Sequence, residues 1–324
     1  MKSMTVTRRV VYAALAGNVA VALIKFVAAT LTGSSAMLSE GVHSLVDTIN
    51  EWLLLYGLKR ADKPADVSHP FGYGRELYFW SFIVALLVLA LGAGMSFYEG
   101  VTHIQYPEPI EHSQINYLVL IAAYVCEIGS FWMGFKAFRA AKGSQTYYGA
   151  FRNSKDPSIF VVLFEDIAAL LGLLIATLGI AASQVLNMPM LDGVASIGIS
   201  LVLVVSSLLL ARETKQLLIG EAANPQVRDT ILRIASSDSD ISSVNGIVTV
   251  QMGPRQIIAA MSAEFRDELS TTQIEHCVTR IETAIKLANL DVTTLFVKPQ
   301  TAETWRQRIA GMTIKARDSI ETHV

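Results

Sequence analysis

Five polar side chains interrupt an apolar segment that runs from about 36 to 58: Glu40, His43, Asp47, Asn50 and Glu51. On a helix, residues three, four and seven apart share a face. Glu40, His43, Asp47 and Asn50 are spaced in that way and form one stripe. Each ionisable group near a bilayer centre costs about 2.5–3.5 kcal/mol on insertion scales. A stripe of them costs as much as an ordinary domain is stable by, so these groups must face a cavity or bind something. A second apolar run, SIFVVLFEDIAALLGLL, carries Glu165 and Asp166. A third, VLIAAYVCEIGSFWMG, carries Cys126 and Glu127. One imidazole with several carboxylates from two or three helices is ligand chemistry for a divalent cation. The same carboxylates take up protons when no metal is present, because burial disfavours their charged form. A site that holds either metal or protons is what an exchanger of one for the other requires.

These residues need helices to position them, and the composition supplies helices of the membrane kind. The chain has 324 residues, 52% hydrophobic and 17% charged, and a mean hydropathy of +0.43. That balance points to a membrane protein with a soluble part. The formal net charge of −2, with no basic run interleaved with aromatics, argues against a nucleic-acid partner. Cys126 and Cys277 lie far apart in segments of different character, so no disulfide framework is expected. The apolar N-terminal run continues for about 20 residues without a convincing small-x-small cleavage site and reads as a retained membrane helix.

Six segments are long and apolar enough to span a bilayer, near 10–31, 36–58, 77–101, 114–138, 158–183 and 191–211. Lys and Arg collect in the N-terminal tail, in the loops after the second and fourth segments, and after the sixth. The loops TGSSA, THIQYPEPIEHSQ and SQVLNMPM contain neither. This positive-inside pattern puts both termini in the cytoplasm. Lys25, inside the first segment, is expected to snorkel to the outer interface. Glu99 and Asp192 lie near segment ends and read as structural or interfacial. Glu51 and Glu40 are expected near the surface or in a water-filled vestibule, with Glu40 and Asn50 lining the approach to the site. His43, Asp47 and Asp166 are the leading ligand candidates, with Glu165, Asn50 and Glu127 behind them.

After about residue 220 the pattern changes to helix, strand, strand, helix, strand over roughly 80 residues. That order suits a small two-layer domain. The organisation expected is 1–220 membrane domain, 221–300 cytoplasmic domain and 301–324 tail, the last a short helix or loose. No HExxH, GxSxG or GxGxxG signature appears, which argues against an enzyme.

The stretches SSAMLSEGVHSLVDTINEWLLLYGL and KRADKPADVSHPFGYGRELYFW, with Asp166 and a sixth segment opening on Asp192, resemble the cation diffusion facilitator family of divalent-metal transporters. The resemblance runs through nearly the whole chain. It implies six membrane helices, a homodimer, and a ferredoxin-like cytoplasmic domain. It also implies export of cytosolic metal, usually Zn²⁺, in exchange for protons, without a prosthetic group. The family's intramembrane site takes two residues four apart in the second helix, here His43 and Asp47, and two four apart in the fifth. Asp166 matches the second of the latter pair, but Val162 stands at the first. Glu165, Asn50, Glu127 or water must then supply the fourth contact, which leaves Mn²⁺, Fe²⁺, Co²⁺ and Cd²⁺ open beside Zn²⁺. Asp66 and His69 match a loop metal site of the family, but Tyr73 replaces its later His. Phe296 stands where a His is common in the cytoplasmic domain, so that domain is expected to dimerise without the usual zinc cluster and to regulate weakly through bound metal. A cell (inner) membrane is the expected location. The alternative is a membrane metal sensor that moves nothing.

Overall fold

The computed structural model describes residues 18–110, 112–142, 146–308 and 310. The start of the 10–31 segment and the tail after 310 lie outside the described residues. The chain divides into two compact units, up to Leu218 and from Ile219 onward.

The first unit is helical. α1 covers Asn18–Thr32 and α2 Ser35–Ala61. α3 (Arg75–Leu87) continues through a π-helical turn, Val88–Ala93, into α4 (Gly94–Gln105). Then come α5 (Ser113–Lys142), the short α6 (Tyr147–Asn153), α7 (Pro157–Val185) and α8 (Met190–Ile219). Among the described residues four helices are long and apolar enough to cross a membrane: Arg75–Gln105, Ser113–Ala140, Phe160–Val185 and Met190–Ile219. α2 has the length, at 27 residues, but carries the polar stripe.

α2 is the central helix, packed against α3, α4 and α7. Its outward face carries Leu45, Ile49, Trp52 and Tyr56, all exposed. Its inward face buries Glu40, His43 and Asn50. The two faces follow from one helical period: apolar residues repeat at steps of three and four on one side, polar ones on the other. Lys59 and Arg60 close the last turn, where cations favour the helix dipole.

The N-terminus of α2 is held from α8. Asp192 accepts from the Ser34 hydroxyl at 3.0 Å and from the backbone amides of Ser35 and Ala36 at 2.5 and 3.2 Å. These amides are among the donors a helix start leaves unpaired, so a carboxylate 158 residues away completes the helix. α4 and α8 cross at Gly100 and Gly193. A Cβ at Gly100 would lie 2.7 Å from the Gly193 carbonyl oxygen, and one at Gly193 would lie 2.8 Å from that of Gly100. Small residues allow this backbone approach, as membrane helices commonly do.

Lys25 corrects an expectation. It does not reach the interface: its side chain is fully buried, with Nζ 2.9 Å from Glu40 Oε2 and 2.8 Å from Ser44 Oγ. Glu40 is likewise fully buried, against Gly172 of α7, where a Cβ would collide with Glu40 Oε1. It therefore does not line an approach. Glu40 on the adjoining helix is a partner of opposite charge within reach, and pairing offsets the cost of burying either charge alone.

The second unit is an α+β layer pair. α9 (Pro225–Ser236) starts on the Asn224 cap with Pro225 in its first turn. β1 (Ile241–Gly253) and β2 (Gln256–Phe265) form an antiparallel hairpin, and β3 (Val292–Pro299) adds parallel to β2 after α10 (Thr271–Ala288). A Ser270–Gln273 capping box opens α10. Ile231 and Ala235 of α9 and Cys277, Ile281 and Ile285 of α10 form the core with Ala259, Met261 and Leu295 of the sheet. The segment 302–308 is helical, which decides what the sequence leaves open there. Its Trp305 lies over Gly246, where a Cβ would come within 2.6 Å of the ring.

Two outcomes are expected from this packing. Gly100→Ala forces the α4–α8 crossing apart and lowers stability by about 1–3 kcal/mol, read as a lower thermal midpoint in detergent; an unchanged midpoint would contradict the crossing. Lys25→Met strands Glu40 and costs about 3–5 kcal/mol, whereas Lys25→Met with Glu40→Gln recovers most of it. A double variant no better than the single would show that the two side chains are not partners.

Candidate metal centre

The sequence stripe meets α5 and α7 around a cavity of about 50 Å³, room for an ion and very little water. Asp47, Ser44 and Glu51 reach it from α2, Glu127, Cys126 and Ser130 from α5, and Glu165, Asp166 and Val162 from α7. Asn18 and Val21 of α1 complete the wall. Carboxylates from three helices thus face one small space, as hard and borderline cations require.

Hydrogen bonds orient some of these groups and leave others unengaged. Ser130 Oγ donates to Asp166 Oδ1 at 2.9 Å. Asn50 Nδ2 donates to Glu165 Oε1 at 2.8 Å and ties α2 to α7. Asn18 Nδ2 donates to Glu51 Oε1 at 2.8 Å. Asp166 Oδ2, Asp47 Oδ1 and Asn50 Oδ1 are buried and have no hydrogen-bond partner among the described residues. Buried acceptors are rarely left so.

His43 sits one step back. It is buried beside Asp47, Nδ1 to Oδ1 3.4 Å, too long for a good hydrogen bond. Neither ring nitrogen has a hydrogen-bond partner among the described residues, and the ring is not part of the cavity wall. The structure therefore brings Asp47, Asp166, Glu165 and Glu127 to one cavity, and places His43 and Asn50 behind it. It does not gather three ligand atoms from these helices to within 4.8 Å of one another among the described residues. Asn18, Ser44, Cys126 and Ser130 are wall residues that sequence reasoning did not select. Ser130 follows Glu127 by three and Ser44 precedes Asp47 by three, so helical spacing carries a signal for both; Asn18 has none.

The loop pair Asp66 and His69 has a different setting. Tyr73 Oη donates to Asp66 Oδ2 and the His69 amide donates to Asp66 Oδ1, both at 2.7 Å. The Tyr73 ring packs at a tilt against His69, centroids 4.2 Å apart and planes at 32°. The Tyr73 hydroxyl, followed by the His69 amide, holds the Asp66 carboxyl below its ordinary range. Each carboxylate oxygen already accepts a hydrogen bond, so the loop is fixed by its own side chains.

In the second unit, Asp238, Asp240 and Cys277 place ligand atoms within 4.8 Å of one another. Arg280 occupies them: its guanidinium donates to Asp238 at 2.7 and 2.8 Å and to Asp240 at 2.8 Å. Burial, and then the Asp238 carboxylate, push the Cys277 thiol up to about 11, so it offers no thiolate at neutral pH. The arrangement is an arginine–carboxylate clasp between α10 and the turn before β1.

Residues 11–219 match the cation efflux transmembrane domain. A mouse protein named proton-coupled zinc antiporter SLC30A9, mitochondrial, is 30% identical over 81% of this chain. The chain spans about half of that relative's length, 47%. Metal tolerance protein C4 of Arabidopsis thaliana is 27% identical over 81% of this chain and 58% of its own length. The cation-efflux pump FieF of Klebsiella pneumoniae is 24% identical over 86% of this chain and 87% of its own. With a domain match over more than half its length, laid over the helices that build the acidic cavity, the chain belongs to the cation efflux, or cation diffusion facilitator, family of divalent-metal transporters.

Proposed function

We propose that the chain exports divalent metal ions from the cytosol, Zn²⁺ first among them, in exchange for protons. The observation that carries this reading is the small cavity where Asp47, Glu165 and Asp166 meet inside the helical unit, with Asp47 Oδ1 and Asp166 Oδ2 lacking hydrogen-bond partners among the described residues. The relatives named for metal efflux and zinc antiport support it. Asp47 and Asp166 are the primary ligands in this proposal, and His43 joins them by a small shift toward the cavity. Glu165, Asn50 and Glu127 position or complete the set. Asp66 and His69 order the loop.

The mechanism follows from charge. With the site open to the cytosol, ionised carboxylates take a metal ion and lose their mutual repulsion. The helices rock and the site opens to the other side. There protons compete for the same oxygens, the ion leaves, and the protonated site returns. The ligands come together when the ion binds, so in its absence they need not be gathered. Six spans with cytoplasmic termini, a cell membrane, a homodimer, and a ferredoxin-like domain over 221–300 between 1–220 and the tail 301–324 complete the proposal.

Full-length chain in proteoliposomes tests it. A pH gradient should drive Zn²⁺ flux, and Asp47→Asn should reduce that flux to the level of empty liposomes while the protein stays folded. Zn²⁺ binding with no flux under any gradient would favour a sensor. Val162 faces the cavity, where the family places a ligand. Val162→His should tighten Zn²⁺ binding at least about tenfold, about 1.4 kcal/mol; unchanged or weaker binding would show that this position does not reach the ion.

A further inference from the structure

The polar stripe of α2 continues past the acidic cavity. Glu40, Ser44 and Asp47 are spaced at helical steps along α2 and share one face, and Ser44 and Asp47 are both wall residues. On α1, Val21 lines the cavity and Lys25 follows it by one turn. Each helix thus adds one charged residue just beyond the wall, and the two meet. Lys25 Nζ stands 2.9 Å from Glu40 Oε2 and 2.8 Å from Ser44 Oγ, with both charged side chains fully enclosed. One step further along their helices, Ala36, Met37 and Leu173 pack into the apolar core. The Lys25 ammonium is therefore a cation held by a carboxylate and a hydroxyl at the end of an acidic cavity. The second carboxylate oxygen, Glu40 Oε1, is buried with no hydrogen-bond partner among the described residues. The charge of Lys25 also reaches Asp47 and Glu127 in the cavity wall, and a flexible four-carbon stem with three donors lets an ammonium change partners.

We propose that Glu40, with Ser44 beside it, is a further cation position, filled in this structure by the chain's own ammonium and taken by a divalent ion that exchanges partners with Lys25. The ion passes from Asp47 to Glu40 as the ammonium passes from Glu40 to Asp47. Each carboxylate then keeps a counter-charge throughout, which matters because a buried charge left without its partner is strongly destabilising. Carboxylate oxygen suits Zn²⁺ and harder divalent ions alike. Lys25 is in this scheme a positioning residue: it holds Glu40 in place while no ion is there. A place for Glu40 on the route of an exported ion rests on the export reading. Its capacity to bind the ion does not.

Thermal unfolding of the purified full-length chain in detergent, with and without Zn²⁺ at neutral pH, tests the ligand. Lys25→Met frees Glu40 from its ammonium, and Lys25→Met with Glu40→Gln removes both charges, while the cavity carboxylates are the same in the two. Zn²⁺ should raise the midpoint of Lys25→Met at least twice as far as that of the double variant, because the ion re-pairs Glu40 only where the carboxylate is present. If Lys25→Met does not fold, Lys25→Gln, which keeps a hydrogen-bond donor toward Glu40, takes its place in the comparison. Equal Zn²⁺ shifts in the single and double variants would overturn the proposal. In proteoliposomes the double variant should bind Zn²⁺ within about twofold of the wild-type Kd yet carry at least tenfold less flux; wild-type flux in it would take Glu40 off the ion's path. A larger shift in the single variant with no flux in the wild-type chain would leave Glu40 as a ligand and sink the export reading.

Discussion

Charge has to be enclosed. A carboxylate or ammonium in a membrane-type bundle is tolerated only where other protein groups replace water, and this requirement organises the first unit. α2 brings too many such groups for any one neighbour to satisfy. It is therefore surrounded: Lys25 of α1 answers Glu40, Asn50 answers Glu165 of α7, and Asp192 of α8 answers the α2 amide donors. Among the groups left without a hydrogen-bond partner, Asp47 and Asp166 belong to residues that line the cavity. Helix arrangement and candidate ion site are thus two results of one electrostatic demand.

Much of this is visible in the one-dimensional pattern because helical periodicity is local. The offsets in SEGVHSLVDTINE are enough to set Glu40, His43, Asp47 and Asn50 on one stripe, though not to show that Glu40 is buried against Lys25. The same local logic marks TTQIEHCVTRIETAIKLA as α10 and QIIAAMSAEF as β2, with the bounds the structure has. What the pattern does not contain is which helix faces which. The snorkelling expected of Lys25 fails for that reason: its partner lies on another helix, and no spacing along the chain reveals it. The setback of His43 behind the cavity has the same origin, since a shared stripe does not say how deep each member sits. β3 lies parallel to β2 through the intervening α10, a pairing that alternation alone leaves undetermined.

Enclosure also explains the hydroxyls and small residues that sequence reasoning passed over. Ser44 and Ser130 carry no charge and so raise no alarm in a hydropathy reading, yet each touches an ionisable partner, Lys25 and Asp166. Gly172 makes room for Glu40, and Gly100 with Gly193 lets α4 and α8 meet backbone to backbone. In all these cases the informative property is what the residue allows its neighbour to do.

The π-helical turn at Val88–Ala93 gives the Arg75–Gln105 span an offset between its two halves. A π turn holds one residue more than an α turn in the same hydrogen-bonded loop, and the Ala93 carbonyl accepts from Ser200 Oγ of α8 at 2.9 Å. Each residue turns an α-helix by roughly 100°. Loss of a single residue in this turn would restore a uniform helix and rotate everything beyond it, carrying Gly100 away from Gly193. The span therefore behaves as two faces set by one phase shift. Its length in residues at VLALGA is thus a structural variable in its own right, beside the packing of the buried Val88 and Ala93.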